Sequence, residues 1–390
     1  MKLFDKKMAR RYRAGILAII LLQACTKSYS YKENAVPEPI KLSPRLQALF
    51  AKTKLVCFGR YALEVPQEAK LILGSVGLPS DIEIIDGGMA AIKSRVENDI
   101  IKIKSEKNTA EIIYNGEGPI DSSWQIRYYE DDFMKKNGAL YFQTYLEKGD
   151  LAFVIEDSVR VSSKIDGKVD TEKDVAGRQA MLAKNIELRV SDNVPVKPGF
   201  CIDRAFVSHA AYNDQETTHA GIYLPSFPDV TFSISSNKDA YGDYSPAEFE
   251  KTERAKLSLL ARIEEAKTDQ GVNYPKRTVL REGKRDVHHW HGEESLIKRA
   301  NGVHDFEWAL VGTPRDVANP SEFGAAMFTK VEHNTVGAAS AASVSDDEAV
   351  ALWDKLLSGL KFRVKVPGAP EGSYFFDGTE PAAPTPKRPQ

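Results

Sequence analysis

Apolar residues recur at steps of four, four and three through Ile92, Val96, Ile100 and Ile103. That spacing lays one stripe along an α-helix and predicts a helix over residues 89–105. The flanking pattern is that of strands. Residues 55–65 form a strand region stopped by Pro66, and residues 81–85 a short strand. Further strands are expected over 111–114, 124–129, 140–146 and 151–155, the last two around a four-residue hairpin loop, Glu147-Lys-Gly-Asp150. A second helix over 171–184 precedes a strand over 186–190.

Residues 191–199 hold two prolines and a glycine and read as a linker. The order then repeats. Strands are expected over 200–207, 220–224 and 230–235. Ser245, Pro246 and Glu248 form a capping box with a pre-set first turn, so a helix should run from there to residue 267. A hairpin over 294–300 and 303–311 surrounds Asn301-Gly302, the dipeptide of a type I′ turn. A strand over 325–333 follows. Ser345 and Glu348 make another capping box, for a helix that stops at Gly359 before a closing strand.

The two passes share a frame. Cys57-Phe-Gly-Arg60 opens the first and Cys201-Ile-Asp-Arg204 the second; Asn185-Ile-Glu-Leu-Arg-Val190 closes the first and Gly359-Leu-Lys-Phe-Arg-Val364 the second. The chain therefore reads as a duplicated α+β module: two related domains, each a mainly antiparallel sheet with helices packed on one face. The divisions are 1–24 signal peptide, 25–50 tether, 51–190 N-terminal domain, 191–199 linker, 200–366 C-terminal domain and 367–390 a Pro-rich tail expected to be disordered.

The length of 390 residues suits two cores, and 42% hydrophobic residues supply them. The net charge of −2 hides an asymmetry. Lys2, Lys6, Lys7, Arg10, Arg11 and Arg13 precede the apolar run 14–22, against one acid, Asp5. The rest of the chain keeps 47 of the 53 basic and 54 of the 55 acidic residues, a balance of −7. That argues against a nucleic-acid partner. The apolar run is shorter than the roughly 20 residues of a membrane span and fits a signal-peptide core.

Leu22-Gln23-Ala24-Cys25 resembles the lipobox of bacterial lipoproteins, with Gln23 departing from it. The resemblance implies a lipid anchor on Cys25, with Thr26 fitting outer-membrane sorting. Cleavage near Ser28-Tyr-Ser30, or an uncleaved anchor, are the alternatives, and all three export the body. Cys57 and Cys201 remain. In an oxidising compartment they either form a disulfide between the repeats or sit as buried thiols on matching strands.

No nucleophile elbow, H-E-x-x-H, Walker A, G-x-G-x-x-G or C-x-x-C is present. His288-His289-Trp290-His291 with His304 is the one group of metal-ligating types, but no Asp or Cys is placed to complete a set, so strand histidines are the reading kept. Arg60 and Arg204 read as scaffold partners rather than anion contacts, because both copies carry them. No catalytic residue, metal or cofactor is assigned.

Residues 53–66, Thr-Lys-Leu-Val-Cys-Phe-Gly-Arg-Tyr-Ala-Leu-Glu-Val-Pro, resemble the opening of the N-terminal domain of type VI secretion lipase immunity proteins. Phe200-Cys-Ile-Asp-Arg204 and His304-Asp-Phe-Glu-Trp308 are similar to that family's C-terminal domain, and the likeness spans about residues 50–366. The resemblance implies an exported, non-enzymatic protein of two α+β domains that grips a cognate phospholipase effector in the periplasm and blocks its opening at a membrane. Membrane contact would be through the lipid anchor alone. The family's gripping surface follows the effector, so no contact residue is carried over; Tyr128, Tyr129 and Trp290 are candidate aromatic anchors. The alternative is a cell-envelope lipoprotein with a generic binding or assembly role.

Overall fold

The computed structural model describes residues 41–106, 109–159, 170–190, 193–208, 212, 215–240, 247, 249, 254–330 and 341–378, all within one compact unit. After α1 (Pro44–Leu49), the N-terminal half runs β1 (Thr53–Phe58), β2 (Tyr61–Pro66), β3 (Lys70–Gly77), β4 (Asp81–Asp86), α2 (Gly88–Glu106), β5 (Glu111–Glu117) and β6 (Ser123–Tyr129). It continues with α3 (Asp132–Asn137), β7 (Tyr141–Lys148), β8 (Leu151–Ser158), α4 (Glu172–Asn185) and β9 (Ile186–Leu188). The C-terminal half runs β10 (Phe200–Ile202), β11 (Ala205–Val207), β12 (Thr217–Tyr223), β13 (Val230–Asn237), α5 (Arg254–Leu257) and α6 (Leu259–Gln270). Then come β14 (Arg277–Val287), β15 (Trp290–Arg299), β16 (His304–Val311), β17 (Glu322–Thr329), α7 (Asp346–Ser358), β18 (Leu360–Val364) and β19 (Tyr374–Phe376).

Among the described residues twelve strands form one sheet in the order β14-β15-β16-β17-β13-β12-β3-β4-β8-β7-β6-β5. Read inward from either edge, the two halves give the same succession of equivalent strands. The middle pair, β12 and β3, is antiparallel. Each half thus contributes six strands related by a pseudo-twofold between β3 and β12, which is the duplication seen in the frame.

The opening hairpins are exchanged. β1–β2 adds to β18 from the far end of the chain, pairing Leu360↔Leu63, Lys361↔Ala62 and Phe362↔Tyr61. β10–β11 adds to β9, pairing Ile186↔Val207, Glu187↔Phe206 and Leu188↔Ala205. Counted from the two Cys-x-x-Arg motifs, these registers are the same. Packing follows pairing. Phe58, Tyr61, Leu63 and Val65 lie in the C-terminal core with Trp290, Phe306, Trp353 and Phe362. Phe200, Ile202 and Val207 lie in the N-terminal core with Phe153, Ile155, Leu182 and Ile186. Burying each such side chain contributes about 1.5–3 kcal/mol, so each hairpin stabilises the core of the other half.

The closing-strand arginines are also equivalent. Arg363 N–H donates to Arg60 O at 2.8 Å and Arg189 N–H to Arg204 O at 2.9 Å. The Arg363 guanidinium donates to the carbonyls of Pro195, Lys197 and Gly199, that of Arg189 to Ala205, Ile202 and Asn193. Buried guanidiniums need several acceptors, and carbonyls left over at strand ends need donors. Burial lowers the Arg363 pKa.

Each half is the mainly antiparallel sheet expected, with helices on both faces of its outer strands rather than on one face. In the N-terminal half α2 sets Ile92 and Ile103 against Ile126, Tyr145, Ala152 and Val154. α4 sets Leu182 against Leu146, Phe153 and Ile155, the alternate positions of the same strands. In the C-terminal half α7 packs Leu352, Trp353 and Leu356 into the main core. α6 crosses the other face, where Leu260 N–H donates to Glu293 (2.8 Å) and Arg262 pairs with Glu307 (3.3 Å).

Several local expectations change. Residues 41–50 of the tether include α1, capped by Ser43 and pinned to Glu348 through Ser43 Oγ (2.7 Å) and Arg45 Nε (2.6 Å). Residues 367–378, assigned to a disordered tail, are folded back so that β19 runs parallel to β18; Tyr374 packs against the C-terminal core and Phe375 against the cluster of Cys57, Ala62, Cys201 and Phe206. Residues 379–390 lie outside the described residues. The β7–β8 loop is two residues rather than four, because Gly149 at φ +62° lets Lys148 pair with Leu151. In the β15–β16 turn only Gly302 has positive φ, and a longer loop forms, with Arg299 N–H donating to Val303 O. Ser258 is extended and caps α6, which divides the expected helix; Ser245 lies outside the described residues. The Ser345 capping box is formed as expected, and Thr171 with Asp174 makes a further one at the start of α4.

Candidate protein-binding face

Among the described residues, alternation along the central strands leaves one face of the sheet uncovered. β13 buries Val230, Phe232 and Ile234 and exposes Ser233 and Ser235; β12 buries Ala220 and Ile222 and exposes His219. β17 buries Phe323, Ala325 and Met327, with Phe328 43% exposed on the other face. On β3, Ile72 is 61% exposed. The floor is therefore built of small and polar side chains with isolated large apolar ones, Ile72 and Phe328.

Helices flank this floor. α6 lies over β15 and β16 on one side, α2 over β4, β7 and β8 on the other. Beside α5 and α6 is a groove of about 310 Å³ lined by His219, Ser235, Leu257, Arg262, Glu307 and Gly324 among others. Beside α2 a groove of about 200 Å³ is lined by Arg95, Asp99, Lys102, Tyr128, Glu130, Gln143 and Glu156. Arg95 holds its shape, bonding Glu83 at 2.7 and 2.9 Å and Asp99 at 2.9 Å, and buried Tyr145 donates its hydroxyl to Asp99 at 2.8 Å. Burial first, then the neighbouring carboxylates, raises the Tyr128 and Tyr145 pKa values, so both phenols stay neutral donors.

Of the candidate aromatics, Tyr128 lines this groove, stacked on Tyr141 with centroids 5.4 Å apart. Tyr129 is half-buried against α4. Trp290 is fully buried and donates its indole N–H to Ala318 O at 2.8 Å, so it belongs to the core.

The histidines do not converge. His288 and His289 form the β14–β15 turn, with His288 at φ +55°. His288 bonds Ser358 O, His289 bonds Ala318 O, exposed His291 bonds Asp286, and buried His304 bonds Asp346. Burial lowers the pKa of His288 and His289. Among the described residues no group of three His, Cys, Asp or Glu could hold a metal ion. Nor is any helix among them long and apolar enough to cross a membrane.

Arg60 is buried and forms a bidentate pair with Glu216, its guanidinium lying over the Tyr212 ring; Arg204 is half-exposed and pairs with Asp86 and Asp203. Cys57 and Cys201 are joined by a disulfide, Cα atoms 5.9 Å apart. Cys25 lies outside the described residues.

Residues 54–191 match the family description "Tle cognate immunity protein 4 N-terminal domain", and residues 193–365 its C-terminal domain. The chain belongs to this immunity-protein family. It is thus an immunity protein, the partner of a cognate Tle effector. No curated protein matches it. The fold is similar to that of the apo immunity protein TplEi of the type VI secretion system from Pseudomonas aeruginosa: TM-score 0.61, 20% identity, covering 80% of this chain and 97% of that one. It is also similar to a chain of the crystallised Tle4–Tli4 complex: TM-score 0.62, 21% identity, covering 80% and 98%. The family boundary near residue 192 cuts between the two exchanged hairpins' sequences, whereas packing places each hairpin in the opposite core.

Proposed function

We propose that this immunity protein neutralises a phospholipase effector in the periplasm by binding it on the uncovered sheet face between α2 and α6. The observation that carries the reading is that the two walls come from opposite halves, so a bound protein is held from both sides at once. The floor fits a protein partner: Ile72 and Phe328 are separated, exposed anchors on a field of small and polar side chains. A lipase must expose an apolar mouth to reach lipid, and a wall on each side would hold that mouth away from the bilayer. The protein acts by binding, not catalysis.

The basic, then apolar, N-terminus would export the chain, and acylation of Cys25 would hold it at the outer membrane, raising its local concentration where the effector acts. The test is co-purification with the lipase encoded beside it, with a phospholipid-hydrolysis assay. Stoichiometric inhibition is expected. A lipase left fully active by excess protein would reject the reading. Labelling with palmitate, lost in Cys25→Ala, tests the anchor separately.

A further inference from the structure

We infer that the Cys57–Cys201 disulfide is a latch that fixes the separation of the two walls of the binding face, closed only after export. The inference rests on the reading that this face is where the effector binds.

The large sheet is not equally strong along its width. β3 pairs with β12 along its length but with β4 at one residue pair, Gly77↔Asp81. Leu71 and Leu73 of β3 pack into the C-terminal core, Val76 near its far end reaches the N-terminal core, and the chain crosses to β4 through Leu78-Pro79-Ser80. The weakest junction of the sheet therefore lies at β3–β4, one strand away from the pseudo-twofold between β3 and β12, with α6 on one side of it and α2 on the other. A single-pair seam with a short connector is where packed bodies rotate.

The second junction lies at the exchanged hairpins. β1 sends Val56 and Phe58 into the C-terminal core and β10 sends Phe200 and Ile202 into the N-terminal core, while Cys57 and Cys201 meet between them in a small cluster with Ala62 and Phe206, so the bond joins strands anchored on opposite sides of the seam. Both are fully buried. Beside them the backbones pair through Gly59 N–H to Cys201 O and Cys201 N–H to Gly59 O, each 2.8 Å. A covalent bond there leaves the seam no freedom to open, because rotation about Gly77–Asp81 would pull β1 from β10.

Closing the bond removes two protons and two electrons from two thiols. The acceptor is a protein disulfide of the oxidising compartment. A cysteine thiolate attacks it to give a mixed disulfide, the second thiolate displaces the leaving thiolate, and the acceptor departs as a dithiol. In the reducing cytoplasm no such acceptor operates, so the walls are unlatched until the chain has been exported.

Hydrogen exchange on the full exported chain tests this without the effector, so a failed lipase experiment leaves it standing or falling on its own. Three samples are compared: oxidised protein, protein refolded in excess dithiothreitol, and Cys57→Ala/Cys201→Ala. Exchange at the amides of Gly59, position 201, Gly77, Leu78, Ser80 and Asp81 should rise at least about tenfold in the last two, while β15–β16 amides keep their protection. Equal exchange at the seam in all three overturns the latch. Loss of protection throughout both cores also overturns it, since the bond would then be a general staple.

Discussion

Tyr61 stacks on Phe362 with ring centroids 5.3 Å apart, joining the opening and closing strands of the chain. Its ring also stacks on Phe323 at 4.7 Å, and its hydroxyl bonds Ser236 Oγ at 2.9 Å. Tyr61→Phe should cost about 1 kcal/mol, the net worth of one buried hydrogen bond. Tyr61→Ala should cost about 3–5 kcal/mol. Denaturant unfolding measures both, and exchange in Tyr61→Ala should rise first in β15–β17, although Tyr61 belongs to the N-terminal family domain.

Arg60 and Glu216 form a pair with side chains 5% and 7% exposed. Removing one partner leaves a buried charge. Arg60→Met should therefore destabilise by about 3–5 kcal/mol, and Arg60→Met/Glu216→Leu should recover most of the loss. A double mutant no more stable than the single one would show that the pair's geometry, not charge compensation, is what matters.

Glu348 is held near pKa 2, below its ordinary 4.5, first by the hydrogen bond from Arg45 and further by Ser43 and the Ser345 backbone. A depressed carboxylate pKa gives stability that is complete above pH 4.5 and lost as pH falls through about 2. Acid should release α1 from α7 in that window. In Glu348→Gln the α1 amides should be exposed already at neutral pH, and the melting temperature should be flatter with pH below 4.5.

Residues 51–190 and 200–378 should not fold as separate soluble domains, because each would lack the hairpin that completes its core. Expressed together, the two pieces should associate and show the circular dichroism of the intact chain. Separate, cooperative melting of each piece alone would contradict the exchange.

Ser235→Trp and Ile72→Asp alter the floor of the open face without touching either core. Each should weaken effector binding at least about tenfold and leave the melting temperature within about 2 °C, as surface changes do. Titration calorimetry against the purified lipase gives the first number and differential scanning fluorimetry the second.

Much of the architecture was legible from residue pattern. The periodicity of Ile92, Val96, Ile100 and Ile103 located α2, and the serine–glutamate pair at 345 and 348 located α7, because both signals are local. The repeated frame identified the duplication. It could not say that the hairpins change places, since Leu63↔Leu360 and Leu63 with a nearer strand look identical in a sequence. β3 went unread: its burial does not alternate cleanly, having a bulge and a glycine in its middle. β14 went unread because it is long, charged and at the sheet edge. The open face carries little signal of its own. Serines, glycines and a histidine on alternate positions describe any solvated sheet, and only the helices standing on either side set this one apart.

The exchanged hairpins also set an order of assembly. Leu63 emerges early and waits for Leu360, so β1 and β2 have no sheet to join until nearly the whole chain exists. Contacts so distant in sequence form slowly. A polypeptide whose first strands cannot settle before its last is one that stays threadable during synthesis, which suits a route across a membrane in the unfolded state.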